Sequence, residues 1–165
     1  MEYSAYLDIE TTGLSPLYNK LTVIGIYREN GSDGVVTQLV GDEITSSKLI
    51  LAMEDVTRLY TYNGSRFDLP FIKARLDVDL KECCDHEDLM YACWKRNLKG
   101  GLKSVERQLG IERELTDIDG WMAVQLWYAY QNDGDKTALA RLLKYNEEDV
   151  VNLQVLRERL EIESG

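Results

Sequence analysis

Asp8 and Glu10 stand two residues apart in Tyr6-Leu7-Asp8-Ile9-Glu10-Thr11-Thr12-Gly13-Leu14. A two-residue period puts both carboxylates on one face of an extended strand with Tyr6, while Ala5, Leu7 and Ile9 face the other way. Acids this close repel one another unless they are solvated, protonated or bound to a cation. Taken alone, the pair suits an edge strand whose polar face lies in water. A third carboxylate, Asp68, falls in Asn63-Gly64-Ser65-Arg66-Phe67-Asp68-Leu69-Pro70, where it could equally cap the helix that Pro70 opens. A tyrosine and a fourth acid follow in Tyr145-Asn146-Glu147-Glu148-Asp149. Residues four apart share a helix face, so Tyr145 and Asp149 lie one turn apart. The plainer alternative is an amphipathic helix with Tyr145 at the edge of its apolar stripe and Asp149 in solvent. Each feature is weak alone, and further acids elsewhere in the chain strengthen the reading that the first pair holds a cation.

Strands and a late helix must bring these residues together. Met1 to Glu10, Leu21 to Tyr27 and Val35 to Val40 read as strands, with turn chemistry at Asn30-Gly31-Ser32-Asp33-Gly34. Their short links favour antiparallel pairing. Thr45 or Ser46 can cap a helix running through Leu49, Leu51, Ala52 and Met53. Arg58 to Tyr62 reads as a fourth strand, and the helix behind Asp68 allows a parallel return. A weakly signalled fifth strand is expected around Leu80 to Asp85. Helices are expected over 88–97, 102–109, 121–131 and from Lys136 to the end, stopped by Gly100, Gly101, Gly110 and Gly134. The expectation is one α/β domain over residues 1–165. Its mixed five-stranded sheet has three antiparallel strands plus two parallel ones, flanked by helices, and the C-terminal half is helical.

Apolar residues make up 44% of the 165 and charged residues 29%, an ordinary globular balance. No apolar run approaches the roughly 18 residues that span a membrane, and the first twenty residues lack the basic-then-apolar pattern of a secretory signal. The cysteines Cys83, Cys84 and Cys93 suit reduced thiols better than a disulfide framework, and no zinc-ligand spacing is present. An intracellular, cytoplasmic protein is expected. The net charge of −10 argues against a polyanionic partner. One stretch runs the other way: Lys95, Arg96, Lys99, Lys103 and Arg107 face the single acid Glu106. It reads first as a solvated helix face and second as a local phosphate-steering patch.

The three quoted segments, in this order, resemble the exonuclease motifs of the DEDD superfamily of 3′→5′ exonucleases, whose members have the ribonuclease H-like fold. Tyr145-Asn146-Glu147-Glu148-Asp149 matches the tyrosine-type (DEDDy) branch. The histidine branch needs a histidine five residues before the last acid, where Lys144 stands, and the chain's one histidine is His86. The narrower likeness is to the YprB-like predicted exonucleases, related to the proofreading domains of family B DNA polymerases, and it spans residues 3 to 155.

The resemblance implies a metal-dependent 3′→5′ exonuclease acting on nucleic-acid 3′ ends, single-stranded DNA foremost, and releasing nucleoside 5′-monophosphates. Two divalent cations, Mg²⁺ or Mn²⁺, would be held by Asp8, Glu10, Asp68 and Asp149, with Asp8 as the bridge. Such a pair lowers the pKa of a water and holds charge on the departing 3′-oxygen. Tyr145 would orient the water, since a phenol titrating near 10 is a poor base at neutral pH. Thr11, Thr12, Gly13 and Leu14 would line the terminal nucleotide's pocket. Asn63 and Phe67 would adjoin the penultimate one, while Lys99, Lys103 and Arg107 are candidate phosphate contacts. For Leu14 and Phe67 plain core packing is an equal alternative. Two other functional alternatives are a non-catalytic nucleic-acid or protein-binding module on this fold and a ribonuclease or oligoribonuclease. No membrane contact is expected, and processivity would need a partner enzyme or self-association. His86 and the aromatics Trp121, Trp127, Tyr128 and Tyr130 are expected to serve structure or a partner surface.

Overall fold

The computed structural model describes residues 2–164. The strands are β1 (Tyr3–Thr11), β2 (Leu21–Glu29), β3 (Gly34–Val40), β4 (Val56–Thr61) and β5 (Asp85–Asp88). The helices are α1 (Ser46–Ala52), α2 (Asp68–Leu76), α3 (Leu80–Cys83), α4 (Leu89–Lys95), α5 (Leu102–Leu109), α6 (Gly120–Asp133) and α7 (Lys136–Ser164). Sheet order is β3-β2-β1-β4-β5, antiparallel from β1 to β3 and parallel from β1 through β4 to β5. This is the expected ribonuclease H-like mixed sheet.

One element differs. Leu80 to Cys83 forms a helical turn, and the fifth strand is the more polar Asp85–Asp88 beyond it. Asp79 caps that turn through Lys81 N, which favours helix where apolar content suggests strand. The parallel ladder to β4, not hydrophobicity, makes the next four residues a strand. Other boundaries follow local chemistry: Thr45 caps α1 by accepting from Lys48 N, and Gly110 and Gly134 end α5 and α6 in the left-handed conformation.

β1 is the central strand, so both its faces are covered. Ala5, Leu7 and Ile9 pack with Ile24 and Ile26 of β2, Leu49 of α1, and Phe71 and Ile72 of α2. On the opposite face, Tyr6 and Tyr60 pack with Leu89, Cys93, Val105, Val150, Leu153 and Leu156 from α4, α5 and α7. Tyr6 stacks on Tyr60 with ring centroids 5.3 Å apart, and Arg157 donates to the Tyr6 hydroxyl at 2.9 Å. That bond offsets the cost of burying the hydroxyl. A third cluster joins Val23 to Trp127 of α6 and to Leu142 and Tyr145 of α7. Glu10 is therefore buried and Asp8 half-buried, not set in open water as on an edge strand. They face α7.

Candidate metal and active site

The β1–β4 ladder runs only from Tyr3 to Tyr6 on β1. Beyond it, at the carboxyl ends of two parallel strands, β1 carries its acids and the chain after β4 turns into α2. Ligands in α/β sheets collect at such places. Asp68 fills the space where the ladder stops: its Oδ2 accepts from Ile9 N at 3.0 Å. No side chain caps α2, so the capping role weighed for Asp68 is not the one it plays. Asp8, Glu10 and Asp149 each place a carboxylate oxygen within 4.8 Å of the others. Glu10 is 9% exposed and Asp149 7%, which overturns the solvent-facing alternatives for both. Asp68 is buried beside this trio.

Burial raises all four carboxyls, and repulsion from neighbouring acids adds to it at Asp8, Glu10 and Asp68. Asp8 lies well above the usual carboxylate range, through burial first and then Asp149, Glu10 and Asp68. Glu10 is pushed up to about 8 and Asp68 to about 7, again mainly by burial. Asp149 is also raised by burial, but Arg113 opposes the shift. Buried acids this close cannot all ionise without a cation. An all-oxygen donor set suits a hard divalent ion.

α7 brings more than its two motif residues. Tyr145 is buried and accepts a hydrogen bond from Lys103 Nζ of α5, which also lies 4.2 Å from its ring centre. Burial first, and then Asp149, Glu10 and Asp8, hold the phenol above its ordinary value. Asp149 pairs with Arg113 at 2.6 Å, and Arg113 grips Glu106 with two bonds of 2.9 Å. Asn152, one helical turn beyond Asp149, donates to Glu106 at 2.8 Å. Glu148 accepts from Glu114 N and Leu115 N, anchoring the loop that carries Arg113. Asn146 reaches Asp8, with Nδ2 3.3 Å from Oδ2. The sequence reading missed Arg113, Glu106 and Asn146 as site residues. A faint signal existed: Glu106 is the lone acid in a basic run, and Asn146 lies inside a motif.

The loop leaving β1 is folded by its own polar groups. Thr11 Oγ1 donates to Gly13 O, Thr12 Oγ1 accepts from Lys20 N, and Asn19 Oδ1 accepts from Ser15 N. Gly13 is required because the Asn19 side chain lies against its Cα. The polar side chains turn inward and the apolar ones outward: Leu14 is 84% exposed and Tyr18 83%, with Leu17 exposed beside them. Core packing is thus ruled out for Leu14. For Phe67 it holds, since the ring packs into the first core cluster, 5.6 Å from Phe71. Asn63 has a left-handed backbone, and its N–H donates to Asp88, a buried acid that also receives Ser65 N, Ser65 Oγ and Met90 N. Saturated in this way, Asp88 organises the loop after β4.

Lys103 reaches Tyr145, whereas Lys99 and Arg107 are exposed, and Arg107 shares a groove with Lys103 and Arg113. His86 bonds Thr61 Oγ1 at 2.8 Å, a structural contact. Trp127 packs in the core as expected, but Trp121 and Tyr128 are exposed. The three cysteines are free thiols. No helix among the described residues is long and apolar enough to cross a membrane.

Known proteins share this arrangement at the level of fold. YprB of Bacillus subtilis (strain 168), an uncharacterized protein, is 32% identical over 164 residues, covering 90% of this chain and 39% of its own length. The chain thus spans about two fifths of that curated relative. Among solved structures, the family B DNA polymerase of Pyrobaculum calidifontis superposes with a TM-score of 0.75 at 16% identity, covering 97% of this chain and 24% of the polymerase. Brucella melitensis NrnC with bound Mg²⁺ superposes at 0.62 with 21% identity, covering 96% of this chain and 71% of NrnC. The same protein bound to pGG matches at 0.64 with 20% identity, covering 96% and 71%. A family model described as the RNase_H superfamily matches residues 5–161, and by that extent the chain belongs to the RNase_H superfamily.

Proposed function

We propose that the chain is a metal-dependent 3′→5′ exonuclease of the tyrosine type, acting on single-stranded nucleic-acid 3′ ends and releasing nucleoside 5′-monophosphates. The observation that carries this is the trio Asp8, Glu10 and Asp149, within 4.8 Å of one another, Asp8 half-buried and the other two buried, with Asp68 beside them and Tyr145 one helical turn from Asp149. Asp8, Glu10, Asp68 and Asp149 would hold Mg²⁺ or Mn²⁺, two ions in the full site, which supply an activated water and charge stabilisation at the leaving oxygen. Tyr145 stays protonated at neutral pH, so it orients a water and does not deprotonate it. Lys103 donates to the phenol oxygen, which leaves the Tyr145 O–H to point elsewhere, toward the reacting groups. Leu14 would support a base, and Lys103 and Arg107 would meet backbone phosphates. A net charge of −10 makes affinity depend on the bound cation and on stacking.

The test is cleavage of 5′-labelled single-stranded DNA and RNA oligonucleotides in Mg²⁺, Mn²⁺ or EDTA, with Asp8→Ala and Tyr145→Phe beside the parent. The expected result is a metal-dependent ladder shortening from the 3′ end, absent in Asp8→Ala and about 10²-fold slower in Tyr145→Phe. The preferred sugar separates deoxyribonuclease from ribonuclease. Binding without cleavage would establish the non-catalytic module instead.

A further inference from the structure

We propose that Gln38 and Asn146 form a two-amide relay that sets the orientation of the Asp8 carboxylate, with Gly25 as the seat on which the relay lies. The inference rests on the metal-binding role proposed above for Asp8. Strand register places Gln38 of β3 opposite Gly25 of β2, and Gly25 opposite Asp8 of β1, in one straight row across the sheet. A side chain on the middle residue would cover the space between the outer two. Glycine leaves that space open, and the fully buried Asn146 of α7 fills it. A methyl group at position 25 would collide with the Asn146 amide oxygen.

A primary amide can sit either way round, and the two ends differ: the nitrogen donates and the oxygen only accepts. Gln38 settles the choice. Its Nε2 donates to Leu143 O at 2.8 Å and to Asn146 Oδ1 at 3.0 Å. The Leu143 carbonyl can only accept, so it fixes the flip of Gln38, and Gln38 in turn fixes that of Asn146. Asn146 Nδ2 is then aimed at β1, where it donates to Asp8 O at 3.2 Å and to Asp8 Oδ2 at 3.3 Å. The reverse flip would set two acceptors against each other inside a buried site. One donor thus grips both the backbone and the carboxylate of Asp8, which fixes the side-chain torsion before any ligand arrives. Asn146 and Gln38 are positioning residues. Partners of this kind, one step behind the ligands, set metal affinity by about 10–100-fold.

The experiment is calorimetric titration of Mn²⁺ into the parent chain, Asp8→Ala, Asn146→Leu and Gln38→Met, each with its unfolding midpoint measured without metal. The expected result is Mn²⁺ binding by the parent, its loss in Asp8→Ala, and a weakening of about tenfold or more in the two relay variants. Gln38 is only half-buried and its replacement is close in shape, so Gln38→Met decides alone if Asn146→Leu does not fold. A purely packing role would lower the midpoint and leave the Mn²⁺ dissociation constant of folded protein unchanged; that outcome overturns the relay while the metal site stands. A parent chain that binds no Mn²⁺ overturns the metal site and the relay with it.

Discussion

Two groups of buried acids meet at α7, and they are treated oppositely. Glu106 has a bidentate arginine at 2.9 Å and an amide donor at 2.8 Å, and Asp149 shares that arginine at 2.6 Å. Asp8, Glu10 and Asp68 have no ion pair among the described residues. Asp8 receives an amide, and Asp68 a backbone N–H. Glu106, Asp149, Glu10 and Asp68 are buried and Asp8 half-buried, so burial alone does not separate the groups. An acid supplied with its own cation is finished as structure, whereas acids packed together without one form a site that a foreign cation completes. Asp149 belongs to both groups and joins the scaffold to the site.

The largest effect that would break this contrast is expected at Arg113. Arg113→Met leaves Glu106 buried without a counter-charge and should cost about 3–5 kcal/mol in urea unfolding. Adding Glu106→Leu should restore much of the loss. Parent-like stability in the single variant would mean that the two groups do not differ.

Metal should act next most strongly. At roughly a hundredfold excess over its dissociation constant, Mn²⁺ should stabilise the chain by about 2.7 kcal/mol, with EDTA reversing the gain. Scanning calorimetry reads this directly, and Glu106→Gln should leave the gain in place while Asp8→Asn removes it.

The contrast also has a pH signature. Carboxyls raised in the folded state bind more protons there than in the unfolded chain, so stability is full below the unfolded values and is lost as pH rises. With Asp68 near 7 and Glu10 near 8, the metal-free midpoint should fall as pH rises from about 5 to about 8. Glu10→Gln should flatten part of that slope, and saturating Mn²⁺ should reverse it. A flat profile in EDTA would show the site acids to be compensated after all.

The smallest expected effect is at Lys103, which is half-buried and lowers Glu10 electrostatically. Lys103→Met should shift the Glu10-linked part of the profile to higher pH, with folding stability within about 0.5 kcal/mol at pH 5. Under the proposed exonuclease function, turnover should also drop with the lost contact to Tyr145.

Much of this molecule is determined by local sequence. The alternation Ala5, Leu7, Ile9 against Tyr6, Asp8, Glu10 needs nothing beyond a strand's period of two. The spacing of Tyr145 and Asp149 needs only the helical turn. Thr45, Gly110 and Gly134 mark boundaries because capping and left-handed glycine are local chemistry. Tertiary structure decided the rest. β5 is a strand because β4 offers it a ladder, so its own polar residues carry no sign of it. Nothing local tells whether Asp8 and Glu10 meet water or α7: that depends on β1 being central, a matter of pairing across tens of residues. Arg113, Glu106 and Asn152 lie on a loop, α5 and α7, and Gln38, Gly25 and Asn146 on β3, β2 and α7, so no periodicity links the members of either set. They become partners only where burial makes an unpaired charge or amide costly, and that condition is a property of the fold.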